Sequence, residues 1–568
     1  MENTEYKALM TRYAKDMDIT HPWSEYPRPS MVRDSYASLN GQWDFSVCRF
    51  GESPSYNDKI LVPFPPESAL SGYEKLIPAG GVMFYRRNFT LPHGFVNSRV
   101  LLHFGAVDCI CEVYLNGSLL GEHHGGYLPF SFDITEALLH ENELCVKVID
   151  ELDGIYPYGK QRRKRGGMWY TPVSGIWQSV WLESVPDSYI RKLKITPSCE
   201  SVTIEVIGGV SHKKITLESG EVFEFSGEKV TLSPKECVMW TPENPKLYYF
   251  TLESGEDRVR SYFALREVSI KEVSGIPRIC LNGEPYLFNG LLDQGYYSDG
   301  IFLPATSKGY EDDIRLAKSL GFNMLRKHIK VEPEVFYHLC DKLGMIVFQD
   351  MVNNSGYSFF FDTALPTVGM KKFPDKLLHR NKRTRKIFAE HMQATVEHLY
   401  SFPSIMYYTI FNEGWGQFSS DEMYRKLKEL DPTRIIDSTS GWFWQKESDV
   451  DSRHVYFKPV KLGKRGTAPI VISEFGGYSH RVDGHLFGKN NYGYKLFDTR
   501  EGFEDALIHL YTEEIEPLVP LGISALVYTQ VSDVEDETNG LVTYDREIIK
   551  VNPERILPIM ERIKSKIK

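Results

Sequence analysis

The sequence predicts two β-sandwiches followed by a (β/α)8 barrel, and three observations carry that reading. At 568 residues with 42% hydrophobic side chains, the chain is several times the size of one compact core. Over its first half, short runs of alternating apolar and polar residues follow one another between Gly, Asn and Pro punctuation, the pattern of antiparallel sheets with one wet face. From about Ile276 the rhythm changes to strand, helix, strand, helix, the order from which parallel barrels are built.

Each element follows from its own residues. Residues 1–187 contain GVMFYRRNFTL, SRVLLHFGAV, CEVYLNGSLL and ELCVKVID, the strands of a first β-sandwich. Residues 188–273 hold KLKITPS, VTIEVIG, KITLES and LYYFTLESG, which fit a smaller sandwich of immunoglobulin-like size without a Cys or Trp framework. Residues 274–568 supply the barrel strands EPYLFNGLL, FNMLRKHI, MIVFQDM, IMYYTIFNE, RIIDSTS, VYFK, PIVISEF and ISALVYTQ. Between most of them lie helical patterns: YEDDIRLAKSLG, PEVFYHLCDKLG, NKRTRKIFAEHMQATVEHLY, SDEMYRKLKEL and FEDALIHLYTEEIEPLV. No helical pattern follows RIIDSTS, so VYFK is assigned as the sixth strand by its apolar run.

Composition excludes several classes of function. A formal charge of −10 and a pI near 5.9 give no general affinity for nucleic acid or acidic lipid, which bind concentrated positive charge. The first residues, MENTEYKALMTRYAKDMDIT, contain neither the apolar core of a signal peptide nor a membrane-spanning run, so a soluble, cytoplasmic protein is expected. Eight cysteines without a C-x-x-C pair read as reduced core thiols. The basic run KQRRKRGG, Lys160 to Gly167, reads as a solvated loop on an acidic protein, with a loop reaching the barrel mouth as the alternative. His123 and His124 have no third ligand nearby in sequence, so neither a metal nor another cofactor is expected.

The stretch YYTIFNEGWGQF, Tyr407 to Phe418, carries the chemistry. A buried strand runs directly into Asn412 and Glu413, and the C-terminal strand ends of such barrels open onto the face where their active sites lie. Glu413 closes the fourth strand and Glu474, in PIVISEFGG, the seventh, which brings them together across the mouth. Gly414, Gly416, Gly476 and Gly477 follow them and let the backbone turn beside a ligand. Two facing carboxyls suit glycoside hydrolysis: one donates a proton to the departing oxygen while the other, ionised, attacks the anomeric carbon. A separation of about 5–5.5 Å gives direct attack and retention of configuration.

The chain also resembles glycoside hydrolase family 2, whose members include β-galactosidases, β-glucuronidases and β-mannosidases. The resemblance rests on LNGQWDF at Leu39 to Phe45, VYLNGSLLGEHHGGYLPF at Val113 to Phe130 and GMWYTPVSGIWQSVWLE at Gly167 to Glu183, with GFNMLRKHIK, FNEGWG, ISEFGG and DVEDETNGLVTYDR in the barrel. It implies a jelly-roll N-terminal domain and a retaining mechanism with Glu413 as acid/base and Glu474 as nucleophile. Asn412 would bind the sugar 2-hydroxyl, and Arg326 would hold the nucleophile ionised. His328, Asp350 and Asp293 are candidate contacts to sugar hydroxyls, Tyr456 a candidate donor to Glu474, and Trp415, Trp442 and Trp444 candidate platforms for a pyranose ring. The implied partner is a carbohydrate or glycoside, cleaved from its non-reducing end, and the resemblance allows a homo-oligomer assembled through the β-domains. A β-galactoside is the default substrate. Arabinosides, mannosides, galacturonides and glucuronides are the alternatives, as is an inactive carbohydrate-binding protein. The Asn-x-Lys motif with which the family's glucuronidases grip a substrate carboxylate is matched here only by Asn539-Gly540-Leu541, without the lysine.

Overall fold

The structure, a computed structural model, describes residues 9–95, 97–358, 360, 362, 374–462 and 466–567. The first sandwich pairs a six-stranded antiparallel sheet, in the order Asp58–Val62, Gly41–Arg49, Gly81–Phe89, Asn142–Ile149, Ile110–Leu115 and Ser118–His124, with a four-stranded one made of Tyr36–Ser38, Val180–Val185, Arg99–Phe104 and Phe130–Asp133. Alternation explains its core. Along Asn142–Ile149 the side chains of Leu144, Val146 and Val148 are buried and those between them face outward, joining Trp43, Phe45, Tyr85 and Phe104 in one cluster. Each such side chain contributes about 1.5–3 kcal/mol by leaving water.

The second sandwich has a three-stranded sheet (Ile190–Pro197, Val202–Gly208, Lys229–Leu232) over a four-stranded one (Val222–Ser226, His212–Leu217, Tyr248–Ser254, Asp257–Phe263). Buried polar contacts tie it to its neighbours. Arg33 bonds Glu183 of the first sandwich and Asp257 of the second, and the Tyr262 hydroxyl donates 2.7 Å to Asp341 of the barrel. The hairpin Val268–Val273 with Ile276–Leu281 straddles the expected junction between 273 and 274. Its Ile279 and Leu281 pack under the barrel beside Phe288.

The barrel strands are β1 (Phe288–Asp293), β2 (Met324–Lys327), β3 (Ile346–Asp350), β4 (Ile405–Asn412), β5 (Ile435–Ser440), β6 (Asp451–Val455), β7 (Ile470–Gly476) and β8 (Ile523–Thr529). They form a parallel sheet in the order β5-β4-β3-β2-β1-β8-β7-β6. Its two ends meet through side chains: Ser440 Oγ on β5 lies 2.9 Å from His454 Nε2 on β6. The inner layer contains Phe288, Leu292, Met324, Phe348, Tyr407 and Val527, with Phe348 stacked on Tyr407 at 4.1 Å. Outside lie α1 (Lys308–Ser319), α2 (Glu334–Leu343), α3 (Lys382–Leu399), α4 (Ser420–Leu430), α5 (Arg500–His509) and α6 (Pro553–Lys564). Asn381 caps α3 by accepting from the Arg383 and Thr384 amides, satisfying donors that a helix start leaves open.

Three elements differ from the sequence reading. The sixth strand is Asp451–Val455, not VYFK, because its inward positions are Ser452 and His454 rather than apolar residues. The expected helix FEDALIHLYTEEIEPLV is α5 continued by a π-helical turn, Leu510–Ile515, and a 3-10 segment, Glu516–Leu521, where Pro517 and Pro520 interrupt regular bonding. Helix α6 follows β8 without having been anticipated; it starts on Pro553, contains Pro558, and buries Ile556, Ile559, Met560 and Ile563.

Candidate active site

Backbone geometry at two strand ends aims the carboxylates. Every residue of β4 is buried, and the Glu413 amide donates 2.8 Å to Ser440 O on β5, which extends the strand pairing by one residue. Glu413 then adopts φ +49° and Gly414 φ +77°, a left-handed turn that strains the glutamate and suits the glycine. A Cβ on Gly414 would stand 2.7 Å from the Phe443 ring. At the end of β7, Gly476 has φ +82°, and a Cβ there would stand 2.3 Å from the Tyr528 ring. Close approach therefore requires both glycines.

These turns bring Glu413 and Glu474 to one place. His454 Nδ1 lies 2.9 Å from Glu413 Oε1 and 3.5 Å from Glu474 Oε2, and one oxygen of each carboxylate and that nitrogen are all within 4.8 Å of one another. Sequence reasoning missed His454. The signal was present in RHVYF, since His454 shares the face of Tyr456 two residues on.

Arg326, fully buried on β2, organises the surrounding charge through four hydrogen bonds. Its Nη1 donates to Glu474 Oε1 at 3.0 Å and to Ser473 O at 2.9 Å, its Nη2 to Asn412 Oδ1 at 2.8 Å, and its Nε to Asp350 Oδ1 at 2.9 Å. Burial alone would push the Glu474 carboxyl up. Interactions with His454, Arg326 and His328 and the Tyr456 hydroxyl outweigh it and hold Glu474 below the ordinary carboxylate range. Asp350 is held low in the same way against its burial, chiefly by Arg326 and then by His328.

The other sequence candidates divide. Tyr456, one residue past β6, donates its hydroxyl to Glu474 Oε2, contacts Thr529 Oγ1 at 3.1 Å and stacks on Tyr494 at 3.8 Å. His328 donates Nδ1–H to Asp350 Oδ2 at 2.8 Å, and burial together with the charge of Lys160 pushes its pKa down. Asn412 keeps a buried Nδ2 with no partner. Trp415 is a buried wall rather than an open platform, since Trp169 and Tyr357 pack against it at 5.3 and 5.9 Å. Trp442 lies beside His454, with ring centres 5.8 Å apart, whereas Trp444 donates Nε1–H to Ser452 O. Asp293 is a correction. It pairs in register with Lys327, and both face outward because Leu292 and Arg326 occupy the inner face. Its oxygens accept from Lys327 Nζ at 2.7 Å and the Gly295 amide at 2.8 Å, so it ties strands to loops and does not meet the two glutamates.

The run Lys160 to Gly167 also departs from expectation: it is not a solvated loop. Lys160 and Gln161 are buried, Arg162 lies over the Trp169 ring at 4.0 Å, and Arg165 reaches Glu535 and Asp536 of the barrel at 3.6 and 3.8 Å. The first sandwich thus forms one wall of the barrel mouth. His123 donates Nε2–H to Gly125 O at 3.0 Å and stacks on Phe130 at 4.0 Å.

Two clusters among the described residues have ligand-like spacing. Glu413, His454 and Glu474 offer one nitrogen and two oxygens, yet the Arg326 guanidinium in contact with Glu474 opposes a cation there. In the other, Asp108, Cys109 and Asp150, burial and the neighbouring Asp150 charge push the Asp108 carboxyl well up. A neutral carboxyl is a poor ligand.

Fold and sequence matches together place the protein among the glycoside hydrolases. A family model described as the sugar binding domain of glycosyl hydrolases family 2 matches residues 72–186, and the TIM barrel domain of the same family matches residues 277–484. The chain belongs to glycosyl hydrolase family 2. It is 28% identical over 298 residues to a β-galactosidase of Thermoanaerobacter pseudethanolicus, covering 48% of this chain and 39% of that protein. It is 26% identical over 536 residues to one of Leuconostoc mesenteroides, covering 84% and 47%. The chain thus spans about half or less of the length of these curated relatives. Among solved structures, a β-D-glucuronidase of Dictyoglomus thermophilum aligns with a TM-score of 0.72 at 17% identity, covering 95% of this chain and 98% of that one. A β-galacturonidase of Eisenbergiella tayi, solved with galacturonate, aligns with a TM-score of 0.67 at 20% identity, covering 94% and 98%. No helix among the described residues is long and apolar enough to cross a membrane.

Proposed function

We propose that this protein is a retaining, exo-acting glycoside hydrolase with Glu474 as nucleophile and Glu413 as acid/base. The observation that carries the reading is the approach of the two carboxylates to within 4.8 Å, a spacing suited to direct attack and too tight for the intervening water of an inverting enzyme. Glu474, held ionised by Arg326 and Tyr456, attacks the anomeric carbon. The bond to the aglycone oxygen breaks, and that oxygen takes the proton of Glu413. In the second step Glu413, now a carboxylate, removes a proton from water, the water oxygen bonds the anomeric carbon, and Glu474 leaves. Two inversions give retention. The unpartnered Nδ2 of Asn412 is oriented by Arg326 for the 2-hydroxyl, a contact that strengthens at the transition state.

Exo action is supported by the wall that residues 160–169 build at the mouth, which favours a pocket over an open groove. The names of the relatives are divided between β-galactosidases, β-glucuronidases and a β-galacturonidase, so a β-galactoside has no advantage over the uronide alternatives. The test is a panel of nitrophenyl α- and β-glycosides with proton NMR of the first-formed anomer. Retention on a β-glycoside, with at least about a 10³-fold loss of kcat in Glu474→Gln, is expected. An inverted product, or a variant with undiminished turnover, overturns the assignment. Saturable sugar binding without turnover across the panel indicates a carbohydrate-binding protein instead.

A further inference from the structure

We propose that Lys160 makes this site selective for glycosides of a uronic acid, its ammonium group binding the carboxylate carried on the pyranose ring. The inference rests on the glycosidase reading above for the place of the ring, and on the following geometry for its charge.

Lys160 comes from the first sandwich, is 6% exposed, and ends over the Trp415 ring at 5.0 Å and the Tyr170 ring at 5.7 Å. Among the described residues no carboxylate lies within 4.0 Å of its Nζ, and no hydrogen bond reaches it. The aromatic faces stabilise a cation by only about 0.5–2 kcal/mol, and the Lys160 Nζ, not sealed from solvent, is left without an anionic contact. Every other buried lysine at this end of the barrel is neutralised in contact: Lys327 by Asp293 and Glu332, Lys330 by Glu332, and Lys550 by Asp533. Lys160 is the exception.

Its position is the second observation. Trp415 follows Glu413 by two residues, its amide donating to Asn412 O at 2.9 Å, and its ring lies 6.4 Å from that of His328, which Asp350 and Arg326 connect to Glu474. Lys160 therefore stands against Trp415 on the side of the mouth where its charge acts on His328. Trp415 also keeps a buried Nε1–H without an acceptor. Two donors lacking acceptors suit an acceptor-only group, a carboxylate, better than the hydroxymethyl of a neutral hexose. Glu537 is the competing partner, and the field of Lys160 reaches it. Its Oε2, however, already accepts from Tyr170 at 3.0 Å and Gln530 at 2.9 Å, outside contact with the lysine. The position that would supply a barrel lysine is Leu541, fully buried and apolar, so the cation here enters from the other domain.

The experiment compares wild type with Lys160→Met and Lys160→Arg, each checked by thermal melting. Values of kcat/KM are measured on 4-nitrophenyl β-glucuronide and β-galacturonide against the matching β-glucoside and β-galactoside. Binding of free glucuronate and galacturonate against glucose and galactose is measured by calorimetry. One uronide is expected to be preferred over its neutral counterpart. Lys160→Met should lower kcat/KM on that uronide by about 30-fold, within the range that charge-assisted hydrogen bonds supply, leave the neutral glycoside nearly unchanged, and weaken uronate binding in parallel. Preference for the neutral sugar, or equal losses on both in Lys160→Met, overturns the proposal. Lysine-dependent uronate binding without turnover of any glycoside supports it while refuting the catalytic reading.

Discussion

Arg326→Gln tests the electrostatic core of the mechanism. The guanidinium contacts Glu474 at 3.0 Å and Asp350 at 2.9 Å with all three side chains essentially buried. A unit charge about 4 Å from another is worth about 4 kcal/mol at an effective dielectric constant of 20, equivalent to roughly three pH units. His454 still faces Glu474 in the variant and retains part of that stabilisation. Asp350, left with His328 alone, repels Glu474 and works the other way. The acid limb of the kcat/KM profile should therefore rise by about one to three pH units, the range an adjacent opposite charge commands, and kcat at neutral pH should fall by roughly 10²–10³-fold. Removing one member of a buried ion pair also costs about 3–5 kcal/mol of stability, so a melt accompanies each profile. Arg326→Lys is the control: it retains a charge but loses the fork that joins Asn412, Glu474 and Asp350. It should keep the acid limb near its wild-type position while lowering kcat. An unmoved acid limb in folded Arg326→Gln refutes the claim that this arginine keeps the nucleophile ionised.

Two further outcomes follow from particular contacts. Because His454 Nδ1 faces both carboxylates, His454→Phe should lower kcat by about 10–10³-fold with little change in KM, and kinetics showing only a raised KM would assign the imidazole to substrate binding. Asp341, bonded by Tyr262 and the Ser404 amide, is pushed by burial up to about 7. A carboxyl raised on folding holds its proton longer in the native chain, so its stabilisation is complete below about pH 4 and is lost as pH climbs through about 7. Melting between pH 5 and 8 should fall less steeply in Asp341→Asn than in wild type, and identical slopes would contradict this.

What the sequence disclosed depended on whether the signal was local. Glu413 and Glu474 stood out because each ends an apolar strand and is followed by glycine, a pattern confined to a few residues. Arg326 was accessible for the same reason, at the end of a short buried run. Asp293 failed on parity. Residues at a strand end look alike in sequence, and only the register against β2, with Leu292 beside Arg326 and Asp293 beside Lys327, decides which one faces the mouth; a shift of one residue exchanges the faces. His454 was hidden because β6 turns small and polar side chains inward, where Ser452 and His454 close the sheet against Ser440, so the apolar run beside them was the stronger signal.

Lys160 marks a different limit, since no property of its own segment distinguishes it. A basic run on an acidic protein normally faces water because each charge is costly to bury, and Lys164 within the same run is exposed. What draws Lys160 inward is distant in the chain. Tyr170 accompanies it from the first sandwich, its amide donating to Lys160 O at 3.0 Å, and Trp415 on the barrel supplies the aromatic face beneath the ammonium. The carboxylates that define the chemistry lie at the ends of strands whose placement the barrel itself determines. The cation proposed to choose the sugar lies on a loop whose placement depends on packing between domains. A barrel of this kind can therefore keep its catalytic pair while substitutions in the neighbouring sandwich change the charge of its mouth, so selectivity in this protein is to be sought outside the barrel as much as within it.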